Sequence, residues 1–411
     1  MLEFLVMTKL GIYAQVPFCQ TKCTYCNFHT GVVATSRFAP YAEAVCREIR
    51  GHRELLGAAG IDWPGRGRRS SAAPLQGAGK ASEVDLAVDT VYMGGGTPSL
   101  LDPSHLRQIL DAIRESHAAE FTEVTLEADP ETVEAAKAAA WVAAGINRVS
   151  FGLQSFVDKE LIAAGRMHRR ADIYRAVPIL REAGIRNISF DLIAGLPYQT
   201  KESWRQSLEE LAALGPEHVS IYLLEIDEGS RLGKELLQGG GRYSAGAVPS
   251  EDEMAEFYEM AQEFLRPAGY HHYEISNWGK PGFESKHNLK YWRREPYLGF
   301  GAGAHSFSGK ERWANAHDAA EYVEAIQGGR LPAEQHEKVT AESALEEELF
   351  LGLRQLDGID VSRIEREYGV AVAGRFDPLA LAGLVEREGS LVRLAPGRLS
   401  VSNEVFVELM R

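Results

Sequence analysis

Short β-rich runs alternate with amphipathic helical stretches through the first half of the chain, and this alternation restricts the possible folds most strongly. The six β-rich runs are 11–16, 90–94, 123–127, 148–153, 187–193 and 218–224. The helical stretches between most of them are 39–56, 102–117, 130–144, 171–183 and 201–214. Asp102-Pro103 and Asp129-Pro130 each indicate a helix cap followed by proline at the first helical position. Because repeating strand–helix units build a parallel sheet with right-handed crossovers, they predict an α/β fold. We expect a partial TIM-like barrel of six β/α units, with its chemistry at the carboxyl ends of the strands.

The pattern changes after about residue 230, and this change sets the predicted domain limits. We expect a barrel core at 8–230, an extension of the barrel at 231–330 and a small C-terminal α+β domain at 331–411. A winged-helix-like arrangement is one candidate for this last domain. It opens on a strong amphipathic helix at 341–356 and contains a possible hairpin at 391–401.

The net charge of −14, from 44 basic and 58 acidic residues, disfavours a nucleic-acid partner, because phosphate backbones reward clustered Lys and Arg. The opening residues 1–7 lack the basic region of a signal peptide. A cytoplasmic location is therefore expected, and peripheral contact with a membrane is left open. Residues 57–82, rich in Gly, Ala, Ser, Pro and Arg, predict a flexible surface insertion.

Three of the four cysteines, Cys19, Cys23 and Cys26, lie within eight residues directly after the first predicted strand. Three thiolates from one short loop suit a [4Fe–4S] cluster, whose fourth iron could then chelate the amino and carboxylate groups of S-adenosylmethionine. The alternative is a structural zinc with His29 as its fourth ligand. The fourth cysteine, Cys46, lies in a helical pattern and is expected to be a small buried hydrophobe.

This loop and five further motifs resemble the radical-SAM superfamily, and within it the coproporphyrinogen-oxidase-like branch. The motifs occur in order across the whole predicted barrel. They are Cys19-Gln-Thr-Lys-Cys23-Thr-Tyr-Cys26, Tyr13-Ala-Gln-Val-Pro-Phe-Cys19, Gly94-Gly-Gly-Thr-Pro-Ser99, Glu127-Ala-Asp-Pro130, Phe151-Gly-Leu-Gln-Ser155 and Asp191-Leu-Ile-Ala-Gly-Leu-Pro197.

The resemblance implies which residues contact S-adenosylmethionine. The glycine motif would meet its methionine amino group through Gly95, Gly96 and Thr97, where missing side chains let backbone amides approach a ligand. Tyr13 would lie near the methionine end of the cofactor, and Tyr25 would stand beside the adenine.

Polar residues at the ends of predicted strands complete the expected site. Glu127, Gln154 and Asp191 each fall at or just past a strand end, where they could bond ribose hydroxyls or the amino group. Arg166 follows Gln154 by twelve residues, the offset of an arginine in the oxidase branch. The alternative for each is a structural hydrogen bond inside the barrel mouth.

Three features resemble the HemW branch, whose members are heme chaperones, more than the oxidase. Phe28 occupies the position of a further oxidase cysteine, and only twelve residues precede Tyr13, where the oxidase has a long extension. The segment His287-Asn-Leu-Lys-Tyr-Trp292 matches the HNxxYW motif. The resemblance implies that His287 ligates heme iron, since neutral imidazole is a good axial ligand. His271, His272 and His305 are weaker candidates.

The leading hypothesis is therefore a chaperone that binds heme and delivers it to acceptor proteins, with a [4Fe–4S] cluster and S-adenosylmethionine. One alternative is an oxygen-independent coproporphyrinogen III oxidase, which would decarboxylate propionates by a radical route. Another is a radical-SAM enzyme that acts on heme itself. The alternative reading of the HNxxYW segment is a loop-bonding histidine with core aromatics.

Overall fold

The computed structural model describes residues 9–61, 63 and 87–410, and six parallel strands, adjacent in chain order, form its centre. The strands are β1 (Leu10–Val16), β2 (Val88–Gly95), β3 (Ala119–Ala128), β4 (Arg148–Gln154), β5 (Asn187–Ala194) and β6 (His218–Leu223). Each strand pairs in parallel with the next. The predicted partial barrel of β/α units is confirmed.

Helices connect these strands, and their ends follow local sequence signals. They are α1 (Phe38–Ala58), α2 (Pro103–Ser116), α3 (Ala135–Ala144), α4 (Asp158–Ala163), α5 (Arg170–Ala183) and α6 (Lys201–Leu214). Asp102 caps α2 by accepting a bond from the Ser104 N–H at 2.9 Å. The predicted start of a helix at Pro130 is wrong, because Pro130 opens only a short 3₁₀ turn and α3 begins at Ala135.

Further strands extend both edges of the sheet. Next to β6 lie β7 (His271–Glu274) and β8 (Asn277–Gly279); next to β1 lie β9 (Tyr297–Phe300), β10 (His305–Phe307), β11 (Glu311–Asn315) and β12 (Ala333–Lys338). The helices here are α7 (Arg231–Leu237), α8 (Glu251–Leu265), α9 (Lys286–Trp292) and α10 (Ala319–Gln327). Because β1 pairs with β9 and β6 pairs with β8, the barrel does not close on itself.

The C-terminal part is α+β, as expected. It consists of α11 (Ala341–Leu353), β13 (Ile359–Asp360), α12 (Val361–Tyr368), α13 (Asp377–Leu381), β14 (Val385–Glu388), β15 (Leu391–Leu394) and α14 (Ser402–Leu409). The hairpin predicted at 391–401 is wrong. The hairpin joins β14 to β15 through Gly389, whose φ of 63° permits the turn, and Pro396 opens a 3₁₀ segment instead.

Side chains alternate between the two faces of the central strands, and this alternation separates the core from the barrel interior. On β3, Val124 and Leu126 are fully buried in the apolar core between sheet and helices. Thr125, between them, and Glu127, directly after Leu126, point to the opposite face, which lines the interior of the barrel. The interior is therefore polar, and it ends at the mouth formed by the carboxyl ends of the strands.

Two sequence expectations lie largely outside the described residues. Of the insertion predicted at 57–82, residues 57 and 58 end α1, residues 59–61 and 63 follow that helix, and the rest is not described. Residues 1–7 are not described either. No helix in the described ranges combines the length and apolar character needed to cross a bilayer. Cys46 is buried in α1, as expected, and burial raises the pKa of its thiol to about 11.

Candidate cofactor site at the barrel mouth

The loop of residues 17–31 carries three cysteines and is fastened at its base and in its middle. The base is closed because the Cys19 N–H donates to the Gly31 carbonyl at 3.0 Å. The middle is held to the barrel because the Thr24 N–H donates to the Ala164 carbonyl at 3.0 Å. The loop therefore follows β1 at the mouth of the barrel in a defined conformation.

The three cysteines form a donor set that suits an iron–sulfur cluster. Cys19, Cys23 and Cys26 are all free thiols, and burial raises the pKa of Cys19. No three His, Cys, Asp or Glu side chains of the described residues are grouped as ligands of a single metal ion. A four-iron cluster needs no such grouping, because each thiolate binds a different iron. These residues therefore fit the cluster.

The zinc alternative requires His29 beside the thiols, but its ring packs elsewhere. His29 packs against His317 with tilted rings, whose centroids lie 3.9 Å apart. Burial, followed by the neighbouring His317, lowers the pKa of His29, so the imidazole is neutral near pH 7. This pairing favours the cluster over zinc.

The strand-end glycines bring backbone against the start of the cysteine loop. The Gly96 N–H donates to the Val16 carbonyl at 2.8 Å, and the Thr97 N–H donates to the Phe18 carbonyl at 2.7 Å. A Cβ on Gly96 would lie 2.5 Å from the Phe18 oxygen, so no larger residue fits. Gly95 has a φ of 112°, which L side chains rarely adopt. The segment is thus shaped by glycine at two successive positions.

Glu127 fixes this glycine segment from the barrel interior. One carboxylate oxygen accepts the Gly95 N–H at 2.9 Å, and the other accepts the Tyr92 hydroxyl at 2.8 Å. Burial raises the pKa of Glu127 to about 7, against the lowering effect of these two bonds. Glu127 therefore lies near the end of a strand, as the sequence predicts, and it also fixes the backbone of Gly95.

Arg166 joins the cysteine loop to the end of β4. Its guanidinium donates to the Gly152 carbonyl at 2.7 Å, to the Cys23 sulfur at 3.4 Å and, in an ion pair, to Asp129. Burial opposes the charge, but Asp129, Tyr25 and Cys23 outweigh it, and the pKa of Arg166 lies well above its ordinary value. A cation at this position stabilises a cysteine thiolate.

Asp129 belongs to this site, although the sequence predicted only a helix cap for it. Besides the ion pair with Arg166, it accepts a bond from the Thr97 hydroxyl at 3.0 Å. The available signal was its place in the motif that contains Glu127, two residues earlier. An aspartate directly before a proline more commonly caps a helix, and this is the role that the sequence predicts for Asp129.

The two predicted tyrosines have different surroundings. The Tyr13 hydroxyl donates to the Gln15 side chain at 2.5 Å, and its ring stacks near Tyr92 with centroids 6.1 Å apart. Burial raises the pKa of Tyr25 well above its ordinary value, and the adjacent Cys23 adds to this rise. Tyr25 therefore lies beside the cluster thiols, whereas Tyr13 lies inside the barrel.

Gln154 and Asp191 complete the set at different depths. Gln154 ends β4 with a φ of 66°, a strained value for a residue with a side chain. Asp191 accepts bonds from the Ser150 and Ser189 hydroxyls at 3.0 and 3.3 Å, and burial raises its pKa. Asp191 thus already has structural partners in the barrel interior.

His287 lies at the other end of the barrel. It follows the start of α9, and its imidazole contacts Thr90, near the beginning of β2, at 2.9 Å and the Tyr291 hydroxyl at 2.9 Å. Its ring also stacks near Tyr92, with centroids 5.4 Å apart. Thr90 and Gly95 are five strand residues apart, roughly 16 Å at about 3.3 Å per residue. The structure therefore groups the cysteine loop, the glycine segment, Glu127 and Arg166 at the mouth and sets His287 apart.

The three weaker histidine candidates lie elsewhere. His272 stacks on Trp278 with centroids 3.9 Å apart, and His271 and His305 are exposed. None of them shares a hydrogen bond with the HNxxYW segment among the bonds of the described residues.

A pH-dependent loss of stability is expected from His287. Burial lowers its pKa to about 3, whereas an unfolded histidine has a pKa of about 6.5. Below pH 6.5 the unfolded chain takes up a proton that the folded chain refuses, so stability falls as the pH decreases towards 3. The unfolding free energy of the wild type, measured in urea relative to that of His287→Gln, should therefore fall by about 2 kcal/mol when the pH is lowered from 6.5 to 5. An equal difference at both pH values would contradict this assignment.

Two family profiles match the chain. Residues 14–211 match the Radical SAM superfamily, and residues 339–402 match the HemN C-terminal domain. The first match covers the parallel strands β1 to β5 and most of helix α6, and the second lies in the α+β part.

Relatives of known name match nearly the whole chain. The heme chaperone HemW of Bacillus subtilis is 34% identical over 400 residues, covering 96% of this chain and 97% of the relative. The heme chaperone HemW of Synechocystis is 36% identical, covering 84% and 78%. Among solved structures, coproporphyrinogen III oxidase (HemN) of Escherichia coli aligns with a TM-score of 0.78 at 22% identity, covering 98% of this chain and 90% of that one. This last likeness concerns the fold alone.

Proposed function

This chain belongs to the HemW family within the radical SAM superfamily, and on that premise we propose that it is a heme chaperone, which binds heme and delivers it to acceptor proteins. The observation that carries the proposal is the 34% identity to a heme chaperone over 96% of the chain. Phe28, in the place of a further cysteine, supports the same choice over the oxidase.

The loop cysteines Cys19, Cys23 and Cys26 would hold a [4Fe–4S] cluster. When bound, the cluster and S-adenosylmethionine supply one-electron chemistry at a sulfonium. Arg166 would hold the Cys23 sulfur in place through its bond at 3.4 Å, and Asp129 orients Arg166. Tyr25 lies beside the same sulfur.

S-adenosylmethionine would lie against the glycine segment at the mouth. Gly95, Gly96 and Thr97 offer backbone at the edge of the cysteine loop, and Glu127 fixes that backbone through Gly95. Gln154, at the end of β4, would reach polar atoms of the same ligand. Asp191 and Tyr13 would act from deeper in the barrel, where both are already bonded to neighbours.

Heme would be ligated by His287 after a local rearrangement. The side chain is 1% exposed, and its Nε2 atom contacts the Tyr291 hydroxyl. Its low pKa keeps the imidazole neutral, as a ligand must be. Ligation therefore requires Tyr291 to move away from Nε2, and α9 is the element that carries both residues.

Heme titration tests this proposal. We expect the wild-type protein to take up heme with a shifted Soret band, and His287→Ala to bind it at least about tenfold more weakly, because the axial ligand is lost. His117→Ala is the matched control, since it also removes a buried, stacked imidazole and His117 is not a candidate heme ligand. No uptake by the wild type, or equal uptake by His287→Ala, would reject the proposal.

An anaerobic assay separates the chaperone from the oxidase. Reconstituted protein is given coproporphyrinogen, reductant and S-adenosylmethionine, and no protoporphyrinogen is expected. Its appearance would overturn the choice in favour of the enzyme, and consumption of added heme would favour an enzyme that acts on heme.

A further inference from the structure

A cavity of about 180 Å³ lies between the end of α9, strands β9 to β11 and helix α11. Half of its lining side chains are aromatic, and three charged side chains reach into it. The lining residues that matter here are Tyr291, Tyr297, Phe307, Arg294, Arg312 and Glu347. The cavity thus lies at the junction of the barrel extension and the C-terminal α+β part, a common place for ligand sites.

The cavity carries more positive than negative charge. Arg312 pairs with both oxygens of Glu347, at 2.8 and 3.2 Å, and Arg294 pairs with the same carboxylate at 2.9 Å. Both guanidinium groups also lie over the Phe307 ring, 5.3 and 5.1 Å from its centroid. Two cations of the wall therefore share the Glu347 carboxylate, and Arg294 also lies 3.9 Å from Glu348, which does not line the cavity.

Arg294 has a hydrogen-bonding group left over. Its side chain is 10% exposed, and its Nη2 atom is buried without a hydrogen-bond partner. Its backbone has a φ of 51°, which is rare for a residue with a side chain. A buried guanidinium N–H without an acceptor is costly, and an anionic oxygen would satisfy it.

Tyr291 connects this cavity to His287. Its ring lines the cavity and packs edge-on against Tyr297, with centroids 4.7 Å apart. Its hydroxyl contacts Nε2 of His287 at 2.9 Å. A ligand that enters here would therefore displace the same side chain that covers the proposed axial ligand.

We propose that this cavity receives a propionate arm of the bound porphyrin, with Arg294 and Arg312 as its carboxylate anchors. The proposal rests on the proposed heme-binding function. The volume of about 180 Å³ holds roughly six waters at about 30 Å³ each, which suits a carboxyethyl arm. A whole drug-sized ligand needs about 300 Å³ or more, so the macrocycle stays at the entrance, beside Tyr291.

The test uses porphyrin without iron, so that axial ligation by His287 does not contribute. Free-base protoporphyrin IX and its dimethyl ester are titrated by fluorescence against the full chain. The wild type is expected to bind the diacid at least about tenfold more tightly than the diester, because only the diacid can accept bonds from the arginines. In Arg294→Gln and Arg312→Lys the preference should fall to about threefold or less.

Arg363→Gln is the matched control. Arg363, in α12, pairs with Glu348 of α11 at 2.5 Å but does not line the cavity. It should keep the full preference for the diacid, and circular dichroism confirms that each variant is folded. No diacid binding, no preference in the wild type, or an unchanged preference in both cavity variants would overturn the inference. Failure of the wild type to bind heme would instead reject the proposed function.

Discussion

Cys23→Ser protein is expected to hold at least about tenfold less iron and sulfide than the wild type after anaerobic reconstitution. The loss of an outer-shell partner alone costs a metal site about 10–100-fold, and Cys23 is a direct ligand in the proposed cluster. Serine offers a hard oxygen that is protonated near pH 7, whereas iron–sulfur clusters prefer soft thiolates. Cys23 is also the cysteine that Arg166 contacts, so its replacement removes the contact between this arginine and the loop sulfur as well.

Cys46→Ser is the control for this experiment. Cys46 is buried in α1, and burial raises its pKa, so it contributes packing and no thiolate. Its replacement should leave the iron and sulfide content unchanged. Metal analysis of the wild type decides between the two interpretations of the loop: zinc without sulfide would contradict the cluster, as would a Cys23→Ser variant with full iron content.

The barrel could be predicted because its signals are local. On β3, the alternation of Val124 and Leu126 with polar neighbours marks a strand with one apolar face, and Gly145 and Gly184 end their helices with φ values of 104° and 105°. Both signals depend on a few adjacent residues. The wrongly predicted hairpin shows the limit, because Gly389, which makes the turn, precedes the run that was read as the hairpin.

The site could be predicted only in part, since its geometry depends on distant contacts. Asp129 looked like a helix cap because its partner Arg166 lies 37 residues further along the chain. His287 meets Thr90 across 197 residues, and no local pattern shows which end of the barrel a later helix will reach. The motifs therefore indicated the residue types of the site, while tertiary packing decided which of them lie together.

The cavity at α11 has no sequence signature for the same reason. Arg294 and Arg312 come from the barrel extension, and Glu347 comes from the C-terminal part. Each of these residues alone resembles an ordinary surface charge. Their convergence on one carboxylate follows from the docking of α11 against β9 to β11.

Gly96→Ala is expected to weaken S-adenosylmethionine binding at least about tenfold and to lower the unfolding free energy by about 1–3 kcal/mol. A Cβ at this position would lie 2.5 Å from the Phe18 oxygen and 2.9 Å from the Phe18 nitrogen, so backbone must shift. The shift would break the bond from Gly96 to Val16 and separate the glycine segment from the cysteine loop. Because the proposed ligand must contact both, a small displacement removes much of its binding.

Gly374→Ala tests whether this effect is specific, since a Cβ there meets no atom within 4 Å and its φ is negative. Equilibrium dialysis with S-adenosylmethionine, on reconstituted protein, measures the affinity, and urea unfolding of the cluster-free protein measures stability. Both should be unchanged in Gly374→Ala. If Gly96→Ala bound the ligand within about twofold of the wild type, the glycine segment would not be the contact surface, because a forced backbone shift there would have left the ligand undisturbed.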